Sequence, residues 1–544
     1  MPATTRSSKR RARARLLLLS ATAAAALIAG CGGSSRLAPP APPVSQPNRT
    51  GPETMFSAGG VSSLTPPTLD LLKSLGVDRI HIYMHWADIA PDPQSHHRPA
   101  FDATDPNAYP ASGWAQFDDA IRGIVARHMT IDLDLLSPAP LWAQGHPVPR
   151  KFRSNAYWKP NAARYGQWVK AVGERYSGHF RPPGQSSPLP RVSFWSIWNE
   201  PNLGIDLAPQ TTPDGVEVSP HYYRTLVASA WNGLHASGHG GDTILIGELA
   251  PTGVTNPGNF GMMPGLRFLR ALYCVDSSYR PLTGAEATER GCPATAAASS
   301  RFAAANPGLF RASGFADHPY TFGPPPNELT PGEPDYTTLP AIPKLERTLD
   351  RLQNLYGSST RFPIWSTEFG YLTNPPDGSS DTVSPKVAAA WINWAEYLTW
   401  LDPRIRSYDQ YLLQDPPAAT PKANPFASGL QTSSGAPKPA FYSFRLPIYL
   451  PVTTAAHGHS LVVWGCARPA PPVAGRTHRR QQIQIQFSAG GGAGFKTVAT
   501  VPIVSRHGYF EVRQTFPSSG AVRIAWAPPH GPTQFSRTVS VTLR

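Results

Sequence analysis

Two glutamates, far apart along the chain, each stand where an apolar run gives out. In FWSIWNEPNLG, Phe194 to Gly204, the run ends in Asn199, Glu200 and Pro201; in PIWSTEFGYLT a second run ends in Glu368. A carboxylate at the end of a buried strand is costly unless it is partnered or used. Two carboxylates in one low-dielectric cleft push each other's pKa values apart. One can then hold a proton for a leaving group while the other stays ionised to attack carbon or activate water. Rings and polar groups end neighbouring runs: His85 and Trp86 in HIYMHW, Trp142 in SPAPLW, His318 and Tyr320 in ADHPY, and Tyr408, Gln410 and Tyr411 in IRSYDQYL. Aromatic faces of this kind accept the apolar C–H faces of sugars. Paired acids among such rings are what breaking a glycosidic bond requires.

The elements that must position these residues are regular. Short apolar or β-branched runs fall at 55–60, 79–86, 130–136, 192–198, 243–249, 314–320, 363–369 and 405–412. Helix-period segments lie between them, among them GWAQFDDAIRGIVARHM, NAARYGQWVKAVGERY, SPHYYRTLVASAWNGLHASG and IPKLERTLDRLQNLYG. Strands alternating with helices predict a parallel sheet, and eight such units predict a closed (β/α)8 barrel over residues 54–450. In that architecture active groups sit at the C-terminal strand ends, where both glutamates fall. An open doubly wound sheet fits less well, because no Gly-rich phosphate loop follows the first strand. Residues 451–544 read as strands only, HSLVVWGCA, QQIQIQFSA, FKTVATVPIV, YFEVRQTF, AVRIAWA and TVSVTLR, and predict a small β-sandwich. Packing against the barrel as an accessory domain is the expected role of this part.

WSIWNEPNLG and PIWSTEFGYLT together resemble the acid/base and nucleophile motifs of the clan A retaining glycoside hydrolases, over roughly residues 55–447. The resemblance implies Glu200 as general acid/base, Glu368 as nucleophile, Asn199 on a sugar 2-hydroxyl, Tyr320 orienting Glu368, and His318 lining the same subsite. Within the clan the chain departs from family 5. His81 stands where that family's strand-two arginine is expected, and no histidine follows TIDLDLL. LSPAPLWAQ instead resembles the Thr-Pro-x-Trp passage of family 39, and Tyr408, Gln410 or Tyr411 replaces the usual strand-eight tryptophan. The implied activity is cleavage of β-linked oligo- or polysaccharides with retention; transglycosylation would use the same residues. The alternative is a non-catalytic glycan-binding surface protein on a hydrolase-like barrel.

Other residues carry weaker signals. Glu248, in LIGELAP, is expected behind the site or capping a loop rather than on substrate, and Asp134 is expected as an inward structural acid. His81 and His85 share one face of their strand, four residues being an even offset, with no third metal ligand in sight. No metal or organic cofactor is expected. Trp86, Trp142, His85 and Gln410 are expected to line sugar subsites, while Trp195 and Trp365 read as core.

The N-terminus reads as an export signal. Basic RSSKRRARAR, apolar LLLLSATAAAALIA and a small-residue approach to Cys31 resemble a secretory signal ending in a bacterial lipobox over residues 1–31, which implies lipidation of Cys31 and an extracellular protein anchored to the outer face of the bacterial cell membrane. The apolar run is shorter than the ~20 residues of a spanning helix. Pro-rich residues 32–53 read as a semi-rigid tether. Residues 1–31 carry six of the cations, so the formal charge of +14 falls to +8 beyond them, with one dense basic run, RTHRR. Nucleic acid is therefore not an expected partner. Of the four cysteines, Cys274 and Cys292 are placed to bridge, for about 3 kcal/mol on the loop-entropy account, and Cys466 is expected buried.

Overall fold

The computed structural model describes residues 50–417, 426–469, 481–528 and 531–544. The export signal, Cys31, most of the tether and RTHRR lie outside the described residues. Eight parallel strands form one sheet: β1 Glu53–Ser57, β2 Arg79–His85, β3 Thr130–Leu136, β4 Phe194–Ile197, β5 Thr243–Leu249, β6 Gly314–Asp317, β7 Ile364–Ser366 and β8 Ser407–Tyr411. They pair in sequence order, with β8 returning to β1. Backbone bonds from Ile364 to Arg404 and from Arg406 to Ile364, 2.9 and 2.8 Å, close β7 onto β8. The fold is thus a (β/α)8 barrel, as the alternation predicts.

Strand periodicity sorts the side chains into two layers. On β2, Ile80, Ile82 and Met84 join the apolar core shared with the surrounding helices, as do Leu133 and Leu135 on β3. The alternate residues His81, Tyr83, Asp132 and Asp134 face the barrel axis, and register pairs His81 with Asp132 and Tyr83 with Asp134. The interior is therefore polar above a floor of Phe194, Leu245, Ala316 and Trp365. Arg79 reinforces that floor, lying 4.0 Å above the Phe194 ring and 2.5 Å from Glu53. Trp365 is thus a floor residue, and Trp195 is buried in the helix layer. Helix starts follow their caps: Thr65, Asn161 and Ser384 accept backbone N–H groups at the heads of the helices Pro66–Ser74, Ala162–Arg175 and Pro385–Leu401. Such caps contribute about 1 kcal/mol each. The long passage from β5 to β6 is stapled by the Cys274–Cys292 disulfide.

The C-terminal part is a sandwich of two sheets. One comprises β9 Ile448–Tyr449, β11 Ser460–Cys466 and β14 Tyr509–Thr515; the other comprises β10 Thr454–Ala455, β12 Gln482–Ser488, β13 Lys496–Pro502, β15 Gly520–Trp526, β16 Gln534–Phe535 and β17 Val539–Leu543. Alternation sets the faces: in QIQIQFS, Ile483 and Ile485 are buried while Gln482 and Gln484 are exposed. Trp526 belongs to the sandwich core. Trp464 instead packs with Tyr509 against Tyr397 and Trp400 of the barrel's last long helix, and Cys466 is free and buried beside it.

Candidate active site

Glu200 enters the barrel mouth through a contorted turn. After β4, Trp198 and Glu200 both take left-handed backbone angles, φ 65° and 37°. Each such residue costs on the order of 1–3 kcal/mol and persists only where surroundings enforce it. Here the Glu200 N–H donates to the Glu248 carbonyl at 2.9 Å. The Asn202 side chain stitches the turn to Ala250 and Met263, donating to both carbonyls at 2.8 Å. Glu368 follows β7. Tyr83 and Tyr320 donate their hydroxyls to its two oxygens at 2.7 and 2.9 Å.

These turns bring the two acids together. One oxygen of Glu200, one of Glu368 and a ring nitrogen of His318 all lie within 4.8 Å of one another. The carboxylates differ in access, the Glu200 side chain being 16% exposed and that of Glu368 9%. Burial raises the Glu368 pKa, with the Glu200 charge adding to it and the nearby His318 and Tyr83 working against it. Asn199 stands half-exposed beside Glu200, while its side-chain oxygen is buried and without a protein partner. Tyr320, Phe322, Tyr411 and Phe426 form an aromatic wall, Tyr320 stacking on Phe322 at 5.4 Å and meeting Phe426 edge-on at 5.5 Å. His85 is partly exposed at the rim, its ring bonded to the Ser137 carbonyl.

Four expectations change. His318 does not line the cleft: its side chain is fully buried, between Glu200 on one nitrogen and Glu248 on the other, at 3.0 and 2.9 Å. Trp86 and Trp142 do not form sugar platforms. The chain leaves β2 in a helical turn, Trp86–Ile89, which carries Trp86 into the helix layer, stacked on Trp168 at 5.7 Å and edge-on to Trp142 at 5.9 Å. Trp142 donates its ring N–H to the Pro91 carbonyl. Gln410 is 1% exposed and braces the loop beyond β8, donating to the Tyr411 and Ser428 carbonyls. Its neighbour Asp409 takes the inward position, 3.4 Å from the Ser57 hydroxyl, so alternation sends Gln410 outward.

Other residues enter the site unforeseen. Tyr83 was legible, because it lies between His81 and His85 on their shared face. Asp206, on the loop after Glu200, accepts from the Ser137 hydroxyl at 2.7 Å; enclosure beside Glu200 pushes its pKa well up, and nothing in its local sequence marks it. Glu248 is wholly buried behind the site, as expected, and Asp134 is inward. Burial opposes a charge on His81, but Asp132, Asp134 and Glu248 outweigh it and hold its pKa well above that of ordinary imidazole. Burial pushes Asp134 up to about 7. Among the described residues, His81, Asp132 and Glu248 form a second cluster of ligand-type atoms within 4.8 Å; a cationic His81 makes this an ion-paired group.

No protein-family model and no curated protein matches the chain. Among solved structures it is similar to a family 39 glycoside hydrolase from Bacteroides cellulosilyticus WH2, at 14% identity and TM-score 0.44 over 86% of this chain and 80% of that one. It is also similar to a glucosidase from Croceicoccus marinus, at 11% identity and TM-score 0.47 over 90% and 96%. A family 1 β-glucosidase from Thermotoga maritima matches at 15% identity and TM-score 0.42, over 70% and 84%.

Proposed function

We propose that the chain is a retaining glycoside hydrolase acting on β-linked saccharides. Glu368 attacks the anomeric carbon while Glu200 gives its proton to the departing oxygen. Glu200 then takes a proton from water, whose oxygen displaces Glu368 from the sugar. The observation that carries this reading is the carboxylate spacing. One oxygen of each carboxylate lies within 4.8 Å of the other, a proximity that favours the roughly 5–5.5 Å carboxyl separation of retaining enzymes over the roughly 6.5–9.5 Å that admits a water between them. The two tyrosine hydroxyls on Glu368 support it as the ionised partner, and the greater exposure of Glu200 suits an acid that must meet leaving group and water. Asn199, half-exposed beside Glu200, is assigned to the sugar 2-hydroxyl. Export, lipidation at Cys31 and display outside the cell complete the proposal, supported by the N-terminal sequence alone.

A panel of aryl β-glycosides and polysaccharides, with the product anomer read by NMR, tests the reading. The expected product keeps the β configuration, and Glu368→Gln abolishes turnover while the protein melts as before. Hydrolysis undiminished in that variant, or an inverted product, removes the assignment.

A further inference from the structure

Below the catalytic pair lies an imidazole with carboxylates on three sides. His318 Nδ1 is 3.0 Å from Glu200 Oε1 and 3.6 Å from Glu368 Oε2, and its Nε2 is 2.9 Å from Glu248 Oε2. Glu248 reaches this place by a distortion of β5. Pairing with β6 shifts register between Ile246 and Leu249, with Gly247 at φ 118° and Glu248 at φ 48°. A Cβ on Gly247 would come within 2.3 Å of the Ala316 carbonyl, so the bulge requires glycine there. Left-handed backbone at a residue bearing a side chain is unfavourable, which makes the bulge notable for what it places. From it Glu248 touches both catalytic segments: its carbonyl accepts the Glu200 N–H, and Oε2 accepts the hydroxyl of Thr367, the residue before Glu368.

We propose that Glu248 is a positioning residue that keeps both nitrogens of His318 protonated, so that a fixed imidazolium stands between Glu200 and Glu368. The inference deepens the glycosidase reading and rests on it for its catalytic consequence. In glycosylation Glu200 loses a proton as Glu368 gives its electron pair to carbon; in deglycosylation the reverse occurs. One negative charge thus passes between the two carboxylates in each half-reaction, and a cation touching both stabilises it at either end without itself moving a proton. Glu248 supplies the compensating anion. The other titratable groups around this unit are Asp317 beside His318, Asp409 on β8, His81 on β2, Asp132 and Asp134 on β3, and Asp206 beside Glu200; burial raises the pKa values of Asp317, Asp409, Asp134 and Asp206, which favours their neutral forms. The electrostatics agree: burial opposes the charge on His318, but Glu368, Glu200 and Glu248 raise its pKa well above that of ordinary imidazole. Burial likewise opposes ionisation of Glu248, while His318 and His81 bring its pKa below the usual value.

Glu248→Gln in the full chain separates this from a merely structural role, because two effects of opposite sign compete. Removing the Glu248 charge alone makes neighbouring acids easier to ionise and moves the acidic limb of kcat/KM, set by Glu368, to lower pH. Losing the His318 proton as well removes a closer positive charge and moves that limb upward. The expected result is an upward shift of roughly one pH unit, with kcat reduced and KM little changed. A limb that stays or moves down overturns the proposal. Nitrogen-15 histidine NMR gives a readout independent of turnover, with His318 signals assigned by their loss in His318→Gln. Imidazolium shifts at both nitrogens at neutral pH are expected in the unsubstituted chain, and a neutral ring there overturns the proposal even if Glu248→Gln fails to fold. Absence of glycoside turnover in the unsubstituted chain sinks the glycosidase reading and leaves this NMR result standing.

Discussion

At the scale of single residues, the cleft works by giving two identical carboxyl groups different surroundings. Glu368 is more deeply buried and held by two tyrosine hydroxyls, whereas Glu200, the nearer of the two to the His318 ring, is closer to water. Burial lifts the Glu368 pKa, and in the proposed mechanism this group must be ionised to attack. The acidic limb of the rate profile is therefore expected above the roughly 4.3 of a free glutamic acid. Tyr83→Phe removes a hydrogen bond that favours the ionised form, so the limb moves further up. Turnover should fall roughly 10- to 100-fold, the equivalent of a hydrogen bond to a charged group. Steady-state rates across pH on one aryl glycoside check both. A limb unmoved in Tyr83→Phe shows that its hydroxyl does not set the charge on Glu368.

At the scale of elements, small backbone events decide which residues reach the mouth. Two left-handed residues after β4 and a bulge in β5 carry acids inward, while one helical turn after β2 carries Trp86 outward. Trp86 is accordingly a stability residue. Trp86→Ala should cost about 3–5 kcal/mol, as for other large-to-small core changes, and leave KM unchanged in the protein that still folds. Denaturant unfolding and Michaelis kinetics separate the two, and a KM that rises without loss of stability would restore the sugar-platform role. Periodicity made the strands and helices legible because one side chain in two, or a stripe at 3.6, answers to burial alone. It could not show the bulge or the turn, since those depend on what the neighbouring strand presents.

At the scale of the whole molecule, the sandwich is bonded to the barrel rather than tethered to it. Arg468, 1% exposed, pairs with Glu396 of the helix Pro385–Leu401. It also donates to Thr54 Oγ1 on β1 at 3.1 Å and to the Phe444 carbonyl at 2.6 Å. Tyr509 donates to the same Glu396 at 2.8 Å, and Arg537 to Asn393 at 3.0 Å. Removing one partner leaves the other charge buried and alone. Arg468→Met is expected to destabilise the chain by about 3–5 kcal/mol. A single cooperative unfolding transition, shifted as a whole, would show that the two parts melt together; two separated transitions would show that they do not. The candidate site lies at the C-terminal strand ends, whereas Arg468 binds near the first strand's start, so the sandwich supports the barrel from the end away from that site.

The sequence by itself determined the eight-strand alternation, the all-β tail, and the two glutamates at the ends of the fourth and seventh strands. Each of these is written in short stretches where local periodicity and an out-of-place charge suffice. Tertiary structure alone decided that His318 is sealed between three carboxylates, that Tyr83 holds Glu368, that Trp86, Trp142 and Gln410 turn away from the cleft, and that Asp206 joins it. The reason is physical: a side chain's face follows from local alternation, but its depth, its partners and its charge are set by segments apart from it in the chain, from 18 residues for Gln410 and Ser428 to 285 for Tyr83 and Glu368.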